Sequence, residues 1–414
     1  MSSCSMLPCP RCFFLEQWAL SWLFAHGGRL PLRFYPNNLN PEYLARSHRV
    51  ALHVDHRIPL AMIKYLGSKR RLVPILGELL VRSGAETALD LFTGTTRVAQ
   101  EFKRRGAYVT AVDIASYSEV FAQCHISIDA DKVRKDELVQ ALEYLNHLPG
   151  TPGYFTEVFC VRSRFFQPHN GERIDAIRDC IEKEFKDSAL YPILLTSLVY
   201  AADKVDSTTG VQMAYVKRWA PRSYGSLELR VPELYPGTGR AIRADAYSIA
   251  KDLPKVDLAY LDPPYNQHRY YTNYHIWETL IRWDAPEFYG VACKRADSKS
   301  PVTKSVFNMA RKMPQALRQV IADVQSEVII LSYNNESWVS LEDLVEMCSI
   351  RGETIVLSFE QRRYVGAQIG VYDPNGRKVG QVSHLHNVEY LIIAGPKGIV
   401  SSMTRSLARN LVRL

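Results

Sequence analysis

The chain has 414 residues, 47% hydrophobic and 23% charged, with 51 Lys+Arg against 43 Asp+Glu for a formal charge of +8. That length holds one large α/β domain with insertions, or two domains, and the composition is that of a soluble globular protein without low-complexity tracts. The basic balance favours a polyanionic partner without requiring one.

Residues 1–61 read as an N-terminal extension to which no function is assigned. The apolar stretch Phe13 to Phe24 spans twelve residues and carries Glu16, too short and too broken to cross a bilayer, and it makes a poor signal peptide. Of the eight cysteines, five are scattered without a spacing pattern, which fits reduced thiols in a cytoplasmic protein. Cys9-Pro10-Arg11-Cys12 looks like half a zinc knuckle, with Cys4 or His26 as further ligands. No second Cys-x-x-Cys follows, so no metal is expected.

From Ile63 the pattern becomes informative. Ile63-Lys64-Tyr65-Leu66-Gly67-Ser68-Lys69 precedes a helix-like apolar segment from Leu72 to Val81. Gly67 and Ser68 can turn the chain, and Lys69 can reach an acceptor such as a carboxylate. Thr87 to Phe92 reads as a strand, Thr93-Gly94-Thr95-Thr96 as a turn, Arg97 to Arg105 as a helix closed by Gly106, and Tyr108 to Asp113 as a second strand. This strand–turn–helix–strand unit is the nucleotide-binding half of a doubly wound sheet. Asp113 stands 19 residues after Gly94, where it can accept from both hydroxyls of a ribose. A nicotinamide cofactor would also suit the unit, but a pyrophosphate needs close backbone approach along a longer glycine turn, and here only Gly94 is available.

Residues 131–240 break the strand–helix alternation. Asp131 to Leu148, Ile174 to Phe185 and Leu190 to Ala202 read as helices, with Pro149 to Tyr154 as a turn. In the irregular stretch after them, Lys204, Lys217, Arg218 and Arg222 are interleaved with Tyr215, Trp219 and Tyr224. That mixture suits phosphate contact with base stacking, or equally a solvated helical cap with a few buried aromatics. The core resumes at Arg243-Ala244-Asp245-Ala246, where Asp245 can accept from an adenine amine with the Ala246 N–H beside it, or act as a helix N-cap.

The apolar run Val256 to Ala259 then leads into Tyr260-Leu261-Asp262-Pro263-Pro264-Tyr265. Neither proline can donate to a ladder, so the strand ends there and the Pro263 carbonyl is left rigid. An acceptor-only carboxylate, a fixed carbonyl and a flat ring suit a planar amine: Asp262 and Pro263 accept its two hydrogens while Tyr265 stacks on the attached ring. Further on, Tyr270, Tyr271, Tyr274, His275 and Trp277 crowd a loop entering a helix from Trp277 to Trp283, as pocket wall or as core. Lys294 and Arg295 open a basic loop running to Lys312, Glu327 to Tyr333 is a strand, and Thr354 to Glu360 with Glu389 to Ala394 reads as a hairpin.

Asp-Pro-Pro-Tyr after a strand, preceded by the Tyr65–Lys69 stretch and the Gly94 turn, resembles the Dam-like DNA adenine-N6 methyltransferases. The resemblance covers residues 62 to roughly 396 and implies an α/β fold: a doubly wound, mostly parallel, seven-stranded Rossmann-like sheet with a mainly helical insertion. Residues 62–130 and 241–400 would form the core, and 131–240 the insertion that recognises the target. The implied cofactor is S-adenosylmethionine, with Tyr65 and Lys69 at its methionine end and Asp90, Phe92, Gly94, Thr95, Thr96, Asp113, Asp245 and Ala246 completing its site. Thr96 stands where the family usually has a second glycine. The implied catalytic residues are Asp262, Pro263, Pro264 and Tyr265, and the implied partner is double-stranded DNA, contacted by Lys204, Lys217, Arg218, Arg222, Lys294 and Arg295. A cognate restriction endonuclease is a further candidate partner. RNA and protein-glutamine methyltransferases of the same fold usually show Asn-Pro-Pro-Tyr, which Asp262 argues against. The acidic residues at 113, 245 and 262 argue against a non-catalytic DNA-binding module.

Overall fold

Apolar runs set the strands. Thr87–Leu91 and Val256–Leu261 are buried almost throughout, as strands covered on both faces must be. The computed structural model describes residues 31–35, 48–49, 63–65, 69–216, 218–265, 269–300, 303–362, 371–372, 378–380 and 386–412. In chain order its strands are β1 (Pro31–Tyr35), β2 (His48–Arg49), β3 (Thr87–Leu91), β4 (Tyr108–Asp113), β5 (Arg240–Arg243), β6 (Val256–Leu261), β7 (Phe288–Tyr289), β8 (Lys294–Arg295), β9 (Ser326–Asn334), β10 (Glu353–Arg362), β11 (Val371–Tyr372), β12 (Lys378–Gly380) and β13 (His386–Gly395).

Nine of them form one sheet in the order β2-β1-β10-β13-β9-β6-β3-β4-β5. The expected seven strands run from β10 to β5. The strands β9, β6, β3, β4 and β5 are mutually parallel, and β13 lies antiparallel between β9 and β10. The predicted final hairpin is there, in the register Val356↔Ile392. Two strands go beyond expectation: β1 and β2 belong to the N-terminal extension, and β1 adds antiparallel to β10 over Leu32↔Phe359 to Tyr35↔Val356. The Cys4, Cys9, Cys12 and His26 grouping lies outside the described residues, as do Gly67, Ser68 and Lys217.

Side-chain alternation divides the core in two. Leu258 and Tyr260 face a layer with Leu76, Leu80, Val98 and Phe102, from helices Val73–Ser83 and Arg97–Arg104. Ala259 and Leu261 face a layer with Leu317 and Leu344, from helices Met313–Asp323 and Leu341–Ser349. A third cluster unites helices Lys135–His147, Pro168–Glu184 and Tyr191–Val205. The helix expected from Ile174 begins earlier, at Pro168, because proline fits the first helical turn, where its missing N–H costs nothing. The third cluster also takes in Ile276, Trp277 and Leu280 of helix His275–Arg282, so the helical layer draws on chain from both sides of the stretch Asp262–Tyr265. His275 is part of it too: its buried ring bonds the Gln212 carbonyl at 2.9 Å, and burial pushes its pKa down to about 3.

Because β4 lies on one side of β3 and β6 on the other, chain order reverses at β3. A crevice opens beyond the carboxyl ends of the strands at such a point.

In the helical layer one carboxylate organises a turn. Buried Asp175 accepts from the backbone N–H of Gly153 (2.9 Å), Phe155 (2.9 Å) and Thr156 (2.8 Å), and from the Thr156 hydroxyl (2.6 Å). Stranding such donors costs about 1–3 kcal/mol each, so Asp175→Ala should lower the unfolding free energy by about 3 kcal/mol or more, and Asp175→Asn by clearly less. Urea titrations followed by circular dichroism measure this. A loss under about 1 kcal/mol for the alanine variant would contradict the assigned role.

Candidate active site

The crevice is a cleft of about 1010 Å³, part of it open to solvent. Its floor is the turn after β3. Phe92 (φ 75°), Gly94 (φ 53°) and Thr96 (φ 60°) all take left-handed backbone angles there. Gly94 combines a left-handed backbone angle with a close neighbour, since a Cβ on it would lie 3.1 Å from the Tyr65 hydroxyl. Phe92 is braced edge-on by Phe307, with ring centroids 4.9 Å apart. Thr95 lines the cleft, whereas Thr96 is fully buried beneath it, its hydroxyl donating to the Thr95 carbonyl at 2.7 Å. Thr96 thus shapes the turn from behind and does not face the cleft.

Carboxylates hold this turn open. Asp113, at the end of β4, accepts from the Gly94 N–H (2.9 Å) and the Ala115 N–H (3.0 Å). Burial raises its pKa. Asp90 accepts from the Thr93 hydroxyl (2.7 Å) and the Ala99 N–H (3.0 Å) through Oδ2, while its buried Oδ1 has no partner among the described residues. Burial pushes the Asp90 carboxyl up to about 7, against the pull of those two bonds. Across the cleft, Asp245 is an N-cap, its Oδ2 accepting from the Ser248 N–H (3.1 Å) and hydroxyl (3.0 Å). Asp245 thus caps the helix, and both it and Ala246 line the cleft.

Tyr65 forms one wall. It stacks on Tyr274 (centroids 4.6 Å apart) and Tyr270 (5.4 Å), and Tyr274 stacks on Trp277 (4.5 Å). Of the aromatic group after the catalytic stretch, Tyr270 and Tyr271 line the cleft and the others are buried core.

Asp262 follows β6 directly and lines the cleft with Pro264. Pro263 is buried and Tyr265 half-buried: Tyr265 packs edge-on against Tyr333 (5.4 Å), and the Lys69 ammonium sits 5.8 Å from its ring centroid. Lys69, expected at the end of a bound cofactor, is occupied by carboxylates. Its Nζ lies 3.1 Å from Asp262 Oδ1 and also bonds Glu389 Oε1, from β13. Burial alone would lower the lysine pKa, but the two carboxylates hold it well above the ordinary value. Burial likewise lifts Asp262 to about 6, with Lys69 pulling the other way. Glu389 and a further cleft residue, Arg97, were not picked out from sequence. Glu389 gives one signal, a lone charge on the strand face that carries Leu391 and Ile393.

One of the six expected DNA contacts needs correcting. Arg295 is 1% exposed and is clamped by Asp284 (2.7 Å) and Asp297 (2.7 Å), so it is a structural ion-pair centre. Arg222 stays exposed while it pairs with Asp206 at 2.6 Å and donates to the Thr208 carbonyl, tying down its own loop. Lys204 and Arg218 are exposed and Lys294 is half-buried.

A family model for the D12 class N6 adenine-specific DNA methyltransferases matches residues 65–347. The chain is 32% identical over 324 residues to the modification methylase StsI of Streptococcus sanguinis, covering 73% of this chain and 49% of that protein. It is 30% identical over 318 residues to the type II methyltransferase M.NlaIII of Neisseria lactamica, covering 73% and 92%. The chain thus spans about half of StsI but nearly all of M.NlaIII. The cleft, the carboxylate after β6 and this match agree, and the chain belongs to the D12 class N6 adenine-specific DNA methyltransferase family.

Proposed function

We propose that the protein methylates N6 of adenine at specific sites in double-stranded DNA, with S-adenosylmethionine as donor. The observation that carries this reading is a carboxylate, Asp262, paired with Lys69 in the lining of the cleft at the sheet's reversal point. The residues fit such a donor. Asp113 ends β4 where ribose hydroxyls would be received, Gly94 leaves room beside Tyr65, and Asp90 keeps a buried oxygen unpaired. Bound there, the donor supplies an electrophilic methyl on a sulfonium.

The exocyclic amine of adenine is a weak nucleophile because its lone pair is delocalised into the ring. Asp262 accepts one of its hydrogens and the Pro263 carbonyl the other, which draws the nitrogen toward tetrahedral and frees the lone pair for in-line attack. One N–C bond forms, one S–C bond breaks, and the proton lost from nitrogen has Asp262 as its nearest base. Holding the reactants in line supplies much of the acceleration. The amine is poorly presented inside a duplex, so the base must be flipped out of the stack toward Tyr265 and the Tyr270–Tyr271 wall. The relatives' names as modification and type II enzymes make a cognate nuclease a reasonable partner to seek.

With Asp262 as acceptor, Asp262→Ala should abolish turnover, while Asp262→Asn, which keeps a neutral acceptor about half as strong, should retain a slow measurable rate. The working form is the carboxylate, so the wild-type rate should fall as pH drops through about 6. Single-turnover methylation of one oligonucleotide, measured from pH 5 to pH 8, reads both effects. Full activity in Asp262→Ala would place the chemistry elsewhere. Binding to DNA should also weaken with salt, with a log–log slope near −5 if about six phosphates are contacted. Replacing exposed Lys204 and Arg218 together should make it shallower by up to about 2, whereas Arg295→Ala should destabilise the fold with no specific effect on the slope.

A further inference from the structure

We propose that Glu389 is a positioning residue of the methyl-transfer site: it holds the Lys69 ammonium off centre and thereby leaves Asp262 free enough to accept the target amine. The proposal rests on the adenine-methylating reading above. Glu389 lies on β13, beyond the residues 65–347 that the family model matches.

Three observations converge on it. First, Lys69 reaches both carboxylates with one Nζ, 3.1 Å from Asp262 Oδ1 and bonded to Glu389 Oε1. Second, all three side chains are largely withdrawn from water, at 6% exposure for Lys69, 19% for Asp262 and 13% for Glu389, so neither contact is a loose surface pair. Third, alternation along β13 puts Glu389 on the face that carries buried Leu391 and Ile393, where a carboxylate is costly unless paired. Lys69, just ahead of helix Val73–Ser83 on the same face, is the partner that makes it tolerable.

An ammonium that faced Asp262 alone would bind that carboxylate as tightly as it could and compete with the amine for its lone pairs. Shared between two carboxylates, it gives up part of that hold. The shared arrangement carries one negative charge in excess, which keeps Asp262 the more basic acceptor. The other groups facing Asp262 do not take over either role. Tyr260, Tyr265 and Tyr270 are held in the neutral form by burial, and Asp90, from β3, is committed to Thr93 and Ala99. Lys69 is the cation at Asp262, and Glu389 is the anion that shares it.

The test is Glu389→Gln, which keeps shape and removes the charge, with Glu389→Met as a second route to the same change. Thermal unfolding and calorimetric binding of S-adenosylmethionine establish that the variant is folded. The acidic limb of the single-turnover rate should then move to lower pH, on the order of one unit, because Asp262 loses a like charge and keeps Lys69 to itself. The carboxyl 13C titration of Asp262, identified by its absence in Asp262→Asn, should move by the same amount. That titration needs no methyl transfer, so it still reports on Glu389 if the protein modifies something other than adenine. A folded variant whose limb and titration both stay where the wild type has them overturns the proposal. Collapse of the fold in both variants also overturns it, because Glu389 would then be a structural anchor.

Discussion

One buried ammonium joins three distant parts of the chain. Lys69 precedes the first core helix, Asp262 follows the strand beside the sheet's reversal point, and Glu389 lies within the antiparallel strand β13, 320 residues beyond Lys69. Removing charges from water is expensive, and their mutual attraction offsets the cost only where geometry is good and hydrogen bonds are made. The site therefore exists only when the parallel half of the sheet and its closing hairpin are both in place. Losing Lys69 would leave two carboxylates facing each other with no cation between them, where little water can relieve them. That dependence ties the chemistry of the cleft to completion of the fold.

The same logic governs the rest of the cleft. Asp90, Asp113 and Asp262 stand at the carboxyl ends of three adjacent parallel strands, and burial raises the pKa of each. Backbone N–H groups at the Gly94 turn and at Ala115 absorb part of the charge at Asp113, and Thr93 with Ala99 does so at Asp90. The cleft thus gathers four carboxylates, Asp90, Asp113, Asp245 and Asp262, with Lys69, Arg97 and Arg269. A positively charged sulfonium donor held there would meet these carboxylates, whereas the neutral thioether left after transfer would carry no such charge.

Much of this was legible in the sequence because it depends on local chemistry. The prolines after Leu261, the single glycine with Asp113 19 residues on, and the alternation in β10 and β13 each constrain backbone and burial without reference to distant chain. Legibility failed where a side chain's partner lies far away. Lys69 reads as a cofactor contact, and its tie to Glu389 is invisible from position 69. Arg295 looks like a phosphate contact because a basic residue in a polar loop reads the same whether its partner is DNA or an aspartate nearby. Asp245 reads first as a cofactor contact with an N-cap as the lesser alternative, and it caps the short helix Ala246–Ile249 while lining the cleft. The pairing of β1 with β10 was out of reach for a related reason. Pro31–Tyr35 has strand character, but nothing nearby indicates that the edge it joins lies some three hundred residues on.

The boundary of the family match deepens this point. Residues 65–347 contain the glycine turn, the Asp-Pro-Pro-Tyr stretch and the residues that line the cleft. They exclude β10 and β13, the strands that finish the sheet. Yet β13 lies hydrogen-bonded between β9 and β10, and β9 is the immediate neighbour of β6, whose end carries Asp262. The matched segment carries the carboxylate, while a strand beyond it supplies the glutamate that shares its lysine. The setting of that carboxylate therefore depends on a strand that the motif does not contain.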